Sequence, residues 1–483
     1  MTDTNKVYSF AYDSANKMTT RVMPNGVSTS YEYDGLSRLT RLKHAKDTTT
    51  LFDYQYTHNT ANQITQITEP TVRTRTFGYD NADRLTSSTS TLPNQNESYT
   101  FDDVGNRTSS HLSSVYGYQQ GSFNRLASTQ QASYSFDNNG NLTSKSEGTA
   151  KWYYSYDREN RLTNAAKFGG MMPRANESVN YQYDALGRRV VRQDKKSGRT
   201  EFTHDGMDVI QDRFEKNDGS TSTTNYINGL GIDDKLKLTN GTTSKYFLTD
   251  HLGSTVGMSD TNGNITESAT YDSFGNKTGT LSTRYGYTGR EADEKTGLMY
   301  YRARQYDPQI GRFTSEDPIG FAGGDINLYG YVKNNPLSST DPSGLTEEAM
   351  IWRMQYHNDP GTREYVSKWD NCFSRCLLSI YGLTGLIGGA AVASGQPISP
   401  KPFVTPGSSP ATSPASKTLS ELFPQKLPWR VWAPTLKNPG ARSIVIGRVL
   451  GRWVPIIGWA IIAYDVYSIM SCTNACYNGE CDR

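Results

Sequence analysis

The sequence predicts a mainly β protein, with hairpins building a long, coiling antiparallel sheet, plus a small α-helical C-terminal domain. Three observations predict it. A tyrosine–aspartate motif recurs through the first part of the chain. Tyrosine is abundant, 32 of 483 residues, although apolar content is only 35%, and Tyr and Thr suit a pleated, half-buried surface. The chemistry then changes abruptly after residue 345, beyond which lie all five cysteines and the only long apolar runs. A chain of this length is expected to hold two to four domains, and the boundaries fall at 1–284, 285–345 and 346–483. Residues 346–483 hold 13 Lys+Arg against 9 Asp+Glu within an overall charge of +2. Neither part carries a concentrated basic stripe, so no nucleic-acid partner is expected. The opening residues MTDTNKVYSFAYD lack the basic and apolar regions of a classical secretory signal.

The repeat, within 1–284, has the form Tyr-x-Tyr-Asp-x-x-x-Arg-Leu-Thr. It stands at Tyr31–Asp34 with Arg38, Phe77–Asp80 with Arg84, and Tyr99–Asp102 with Arg107. It returns at Tyr134–Asp137 with Asn141, Tyr154–Asp157 with Arg161, and Tyr181–Asp184 with Arg188. Spacing of roughly twenty residues marks a repeat architecture in which each unit buries its face on its neighbours. Aromatic-x-aromatic puts both rings on one strand face, Asp with Gly, Asn or Ser makes the turn, and the basic residue with Leu-Thr starts the returning strand. Each repeat is therefore about one hairpin.

The second segment, 285–345, ends in two near-copies of one tetrapeptide, Asp317-Pro-Ile-Gly320 and Asp341-Pro-Ser-Gly344. One such motif is ordinary turn chemistry. Two carboxylates brought together cannot both ionise comfortably, so they share a proton. The ionised one can activate water while the protonated one polarises a carbonyl. Asp317 and Asp341 are the candidate catalytic pair, with Asp307 and Asp325 as substitutes. Arg304 and Arg312 are candidates to pair with them.

The repeat and the block around it resemble the Rhs/YD-repeat polymorphic toxins and the C component of insecticidal Tc toxins. The resemblance is carried by Gly289-Arg290-Glu291, Tyr301–Pro308, Gly311-Arg312-Phe313, Asp317–Gly320, Asn327-Leu328-Tyr329 and Asn334-Asn335-Pro336, and spans about residues 8–345. It implies a partial β shell, as the C-terminal part of a longer protein, carrying a variable C-terminal toxin. It also implies self-cleavage at Leu345–Thr346 by the aspartate pair, a cognate immunity protein, an export chaperone and a spike protein of type VI secretion. The expected product is a secreted antibacterial effector.

The third segment, 346–483, has two apolar runs, read as helices 376–393 and 443–470, around a Pro/Ser-rich linker, 396–440. At about 1.5 Å per residue the first run just spans a bilayer core as a helix. Gly447 and Gly451 form a small-residue ridge of the kind that lets helices approach in lipid. Cys372/Cys376 and Cys472/Cys476, each pair on one helical face, could form two disulfides in an oxidising compartment. Four-thiolate zinc is a rival with looser spacing than metal knuckles use, reduced core cysteines are the plain alternative, and Cys481 is left over. No metal and no cofactor is expected. The leading expectation is a toxin that inserts in the target cell's inner membrane and depolarises it. The alternative is an enzyme toxin, a nuclease or an NAD-consuming transferase, whose apolar helices serve translocation or docking. The single histidine of the segment, His357, argues against His-Asn-His nucleases and His-x-Glu zinc deaminases.

Overall fold

In the computed structural model of the protein the described residues are 7–345, apart from 122–123 and 170–174, together with the backbone of Glu348–Ala349, Lys426–Trp432 and Arg442–Val445. The chain divides into two units, Met1–Pro360 and Gly361–Arg483. The first is β throughout its described residues, where helix is limited to three short 3-10 turns. Its strands pair antiparallel in chain order. Ser9–Tyr12 to Arg107–Ser110 form a ten-stranded sheet and Tyr116–Tyr118 to Lys277–Thr280 a sixteen-stranded one.

The hairpin is written in the aspartate. Asp80 Oδ1 accepts the amides of Ala82 and Arg84 at 2.9 and 3.0 Å, and Oδ2 accepts Arg84 Nε at 2.7 Å. Asp34, Asp157 and Asp184 repeat the arrangement with Arg38, Arg161 and Arg188. The turn needs a left-handed residue just before the arginine, supplied by Asp83 at φ 63° or Gly187 at φ 76°. Each arginine then reaches forward: Arg84 Nη1 donates to Asp102 O at 2.6 Å and Arg188 Nη1 to Gly206 O at 2.7 Å. The second tyrosine reaches back, Tyr79 Oη donating to Ile64 O and Tyr183 Oη to Leu162 O, both at 2.7 Å. The repeat is thus a ladder whose side chains tie each hairpin to both neighbours. We expect Asp80→Ala to cost about 1–2 kcal/mol, since two amides and a guanidinium lose their acceptor. A urea midpoint that falls with an unchanged slope checks it.

The expected single sheet is two. They part at residues 111–115, where the Ser110 and Ser113 backbones bond each other, N–H to O at 2.7 and 3.2 Å. Those groups are then spent on a local turn and cannot extend the ladder.

Residues 285–345 pack against both sheets. A four-stranded sheet of Glu291–Ala292, Met299–Tyr301, Arg304–Asp307 and Arg312–Phe313 builds an aromatic knot. Within it the Tyr306 and Tyr331 rings lie 4.5 Å apart and the Tyr301 and Phe313 rings 5.9 Å apart. Leu298 and Ile310 enter the core under Tyr116–Tyr181, and Leu337 enters the core under Leu39–Tyr99. The segment therefore holds the sheets in place and is itself held rigid, as a precise site requires.

In the second unit, Lys426–Trp432 and Arg442–Val445 pair as antiparallel strands. This corrects two expectations locally: the linker 396–440 contains a strand, and helix 443–470 does not begin at 443. Ile444 and Val445 are β-branched, which favours a strand. The rest of that helix, helix 376–393, and Cys372, Cys376, Cys472 and Cys476 lie outside the described residues.

Candidate functional site

Asp317, Asp341 and Leu345 are brought together in one cleft. Arg304, on the third strand of the small sheet, joins them. Its Nη2 lies 3.0 Å from Asp317 Oδ2 and 3.3 Å from Asp341 Oδ2. The guanidinium stacks on the Phe313 ring, 3.6 Å from its centroid, donates through Nη1 to Leu328 O at 3.1 Å, and through Nε to Gly344 O. All three charged groups are at most 8% exposed.

Asp341 holds the end of the segment. Its Oδ1 accepts the Leu345 amide at 3.1 Å and the Ser343 hydroxyl at 3.0 Å. Two glycines make the fit. A Cβ at Gly344, φ 70°, would lie 2.2 Å from Tyr301 O. A Cβ at Gly323 would lie 2.7 Å from Asp317 Oδ2 and 2.8 Å from Leu345 O, so these two oxygens converge on one point. Asp325 and Lys333 also line the cleft, and the cavity of about 20 Å³ has room for about one water.

Burial pushes both carboxyls up from the ordinary aspartate value. Arg304 opposes the rise at each, and at Asp317 the neighbouring Asp341 and Asp325 reinforce it. Burial likewise lowers Arg304, against the pull of both aspartates. One cation between two such carboxyls suits a shared proton.

Past the cleft the chain turns back. Ser339–Thr340 pairs antiparallel with Glu348–Ala349, Thr340 opposite Glu348, so in chain order Leu345 falls between the two paired strands. Thr346 itself lies outside the described residues.

Arg312 is not in the cleft. It donates to Asn124 O at 2.7 Å and lies over the Tyr118 and Tyr329 rings. The register explains why: Tyr306 pairs with Phe313 and Asp307 with Arg312. Alternation then puts Arg304, Tyr306 and Phe313 on one face, and Arg312 with Asp307 on the other. Asp307 accordingly faces Lys145, 3.7 Å away. Sequence reasoning did not single out Ser343 or Gly323. The Ser of Asp-Pro-Ser-Gly and the Gly323-Gly324 doublet were the available signals.

Set against known proteins, residues 73–337 match the Teneurin YD-shell family and residues 12–49 the RHS repeat, while residues 373–480 match a family of unknown function. The chain is 30% identical over 360 residues to the tRNA3(Ser)-specific nuclease WapA of Bacillus spizizenii, covering 71% of this chain and 15% of that protein. It is 50% identical over 64 residues to the probable deoxyribonuclease RhsB of Dickeya dadantii, covering 13% and 4%. Among solved structures, the Photorhabdus luminescens Tc holotoxin pore superposes with a TM-score of 0.61 at 21% identity, over 71% of this chain and 19% of that one. The expectation that nucleic acid is not a partner class is overturned by these relatives, two of which are named for cutting it. That expectation rested on the lack of a concentrated basic stripe in either part of the chain, and an enzyme can meet nucleic acid without such a stripe. Neither of those two nucleases is named for peptidase action. The Rhs/YD-repeat resemblance stands, and the chain belongs to the Teneurin YD-shell family.

Proposed function

We propose that this chain is the C-terminal part of a secreted Rhs-type polymorphic toxin. Residues up to Leu345 are the carrier, and residues 346–483 are a toxin that acts on nucleic acid and is met by a cognate immunity protein. The relatives favour this enzymatic alternative over membrane depolarisation, since the nucleases among them share the repeat architecture. The carrier frees the toxin by cutting itself at Leu345–Thr346. The observation that carries the cut is the convergence of Asp317, Asp341 and Leu345 around Arg304. Asp341, held beside the Leu345 amide, takes a proton from water as it attacks the Leu345 carbonyl carbon. Asp317, whose oxygen lies toward Leu345 O, gives its proton to that oxygen. Collapse of the resulting diol breaks the bond to the Thr346 nitrogen, which takes the proton held by Asp341 and leaves as the amine, while a diol hydroxyl returns its proton to Asp317 and the Leu345 carboxylic acid forms.

Intact mass of the purified chain tests the cut: the expected result is two masses that part at 345/346, and a single full-length mass sinks it. The toxin is tested by inducing residues 346–483 in a bacterium while following nucleic acid and membrane potential together. Loss of intact tRNA or DNA before any fall in potential is the expected outcome. Early depolarisation with intact nucleic acid returns the reading to membrane action.

A further inference from the structure

A buried lysine outside the cleft takes no part in the chemistry above. Lys235 opens the strand Lys235–Asn240 and pairs across the hairpin with Asn228, the last residue of Thr221–Asn228. Side chains opposed in this way stand close enough to react. Lys235 is 4% exposed. Its Nζ donates to Asn228 Oδ1 at 2.8 Å and to Val209 O at 2.7 Å. Val209 O also accepts Asn228 Nδ2, at 3.3 Å, so one carbonyl holds the amine and the carboxamide together. The Tyr285 and Tyr226 rings lie 4.7 and 5.2 Å from Nζ. Each of these partners is neutral, whereas a buried ammonium is ordinarily set against a carboxylate. Burial brings the amine's pKa down to about 8, so a share of it is a free nucleophile at neutral pH.

The carboxyls that bear on this amine are Asp208, Asp233 and Glu291. Asp233 is taken by Arg290 and Arg302, and Glu291 by Arg284 and Arg189. Asp208 directly precedes Val209, and burial raises its carboxyl against the pull of Lys235. We propose that Lys235 and Asn228 join in an intramolecular isopeptide bond, with Asp208 moving the protons. Asp208 takes a proton from the ammonium. The freed Nζ pair attacks Asn228 Cγ while the C=O pair moves to Oδ1. Asp208 then gives its proton to Nδ2 and takes the surplus proton from Nζ. The carbonyl re-forms, the Cγ–Nδ2 bond breaks and ammonia leaves. The usual rival at an Asn-Gly pair is closure by the glycine nitrogen to a succinimide, but the Gly229 N–H is held by Asp234 O at 2.6 Å. The new bond closes residues 228–235 into a ring. Asp233 lies within it, so the ring fixes the carboxylate that holds Arg302, whose guanidinium also donates to Pro342 O just before Leu345.

The test is a tryptic digest of the full chain, folded first and denatured only for digestion, read by tandem mass spectrometry. Trypsin does not cut after an acylated lysine. The expected product is one peptide, residues 217–237, short by one ammonia and uncut after Lys235. It should yield no backbone fragments between 228 and 235, and hydroxylamine, which opens a succinimide, should leave it unchanged. Asp208→Asn, shown to be folded by circular dichroism, is expected to give peptide 217–235 at full mass. Full-mass peptide 217–235 from the native chain, or an ammonia loss that hydroxylamine reverses, overturns the bond. A cross-link that forms as readily in Asp208→Asn overturns the part assigned to Asp208.

Discussion

Asp317→Asn and Asp341→Asn should each abolish the break at 345/346, with a loss of at least about 10²-fold in rate, the usual worth of a positioned acid or base. Asparagine keeps the turn: the Ile319 amide still finds an acceptor at position 317, as it does in the native chain at 3.0 Å. The loss is therefore chemical, and unchanged β circular dichroism separates it from misfolding. Cleavage that survives in either variant removes that residue from the pair. The pH dependence carries a sign. Burial raises both carboxyls above 3.8, the ordinary value, so the singly protonated pair exists at higher pH than for free aspartates. The rate should fall on both sides of that window, by protonation of both groups on the acid side and ionisation of both as pH rises through the upper value. Those apparent values belong to the pair. A raised carboxyl stabilises the fold below its unfolded value and loses that contribution as pH rises through its folded one. The native cleft is therefore strained at neutral pH, and the asparagine variants should be at least as stable there as the native chain. A rate that is flat from pH 4 to 8 would speak against a shared proton.

How much of this was legible in the sequence follows from the range of the interactions. The Asp80 and Arg84 turn closes within five residues, and its hydrogen bonds join residues two and four apart. A motif can encode that, so the hairpins were readable one by one. The parting of the sheets was not, because it depends on two serine backbones that bond each other instead of a next strand. At the site, the twin tetrapeptides announced two carboxylates, but nothing in Arg304 and Arg312 separates them by eye. The Tyr306 and Phe313 register does, and register is a property of the folded sheet. Gly344 reads as a turn glycine. Its further demand, the approach of Tyr301 O, comes from a strand some forty residues earlier.

The largest stability effect is expected at Glu291, far from the cut in function yet decisive for it. Glu291 is 6% exposed. Its Oε2 accepts Arg284 Nε at 2.9 Å and also Arg189 Nη2, from a strand 102 residues earlier. Burial alone would raise this carboxyl, but Arg284, Arg189 and Arg290 together hold it well below the usual carboxylate range. Glu291→Ala removes the anion and leaves Arg189, 3% exposed, without its counter-charge. Breaking a buried pair from one side costs about 3–5 kcal/mol. The sign with pH is opposite to that of the Asp317 and Asp341 pair. A depressed carboxyl stabilises the fold above its unfolded value, 4.5, and loses that contribution as pH falls through its folded one. The gap between native chain and Glu291→Ala should therefore be widest at neutral pH and shrink in acid, as urea midpoints at pH 7 and pH 3 would show. A gap below about 1 kcal/mol at pH 7 would mark the cluster as solvated, like a surface pair. Replacing both ends, Arg189→Met with Glu291→Leu, should recover much of the loss, because no stranded charge then remains. Glu291 opens the small sheet whose third strand carries Arg304, so the single variant should also slow self-cleavage, and the paired replacement should restore it.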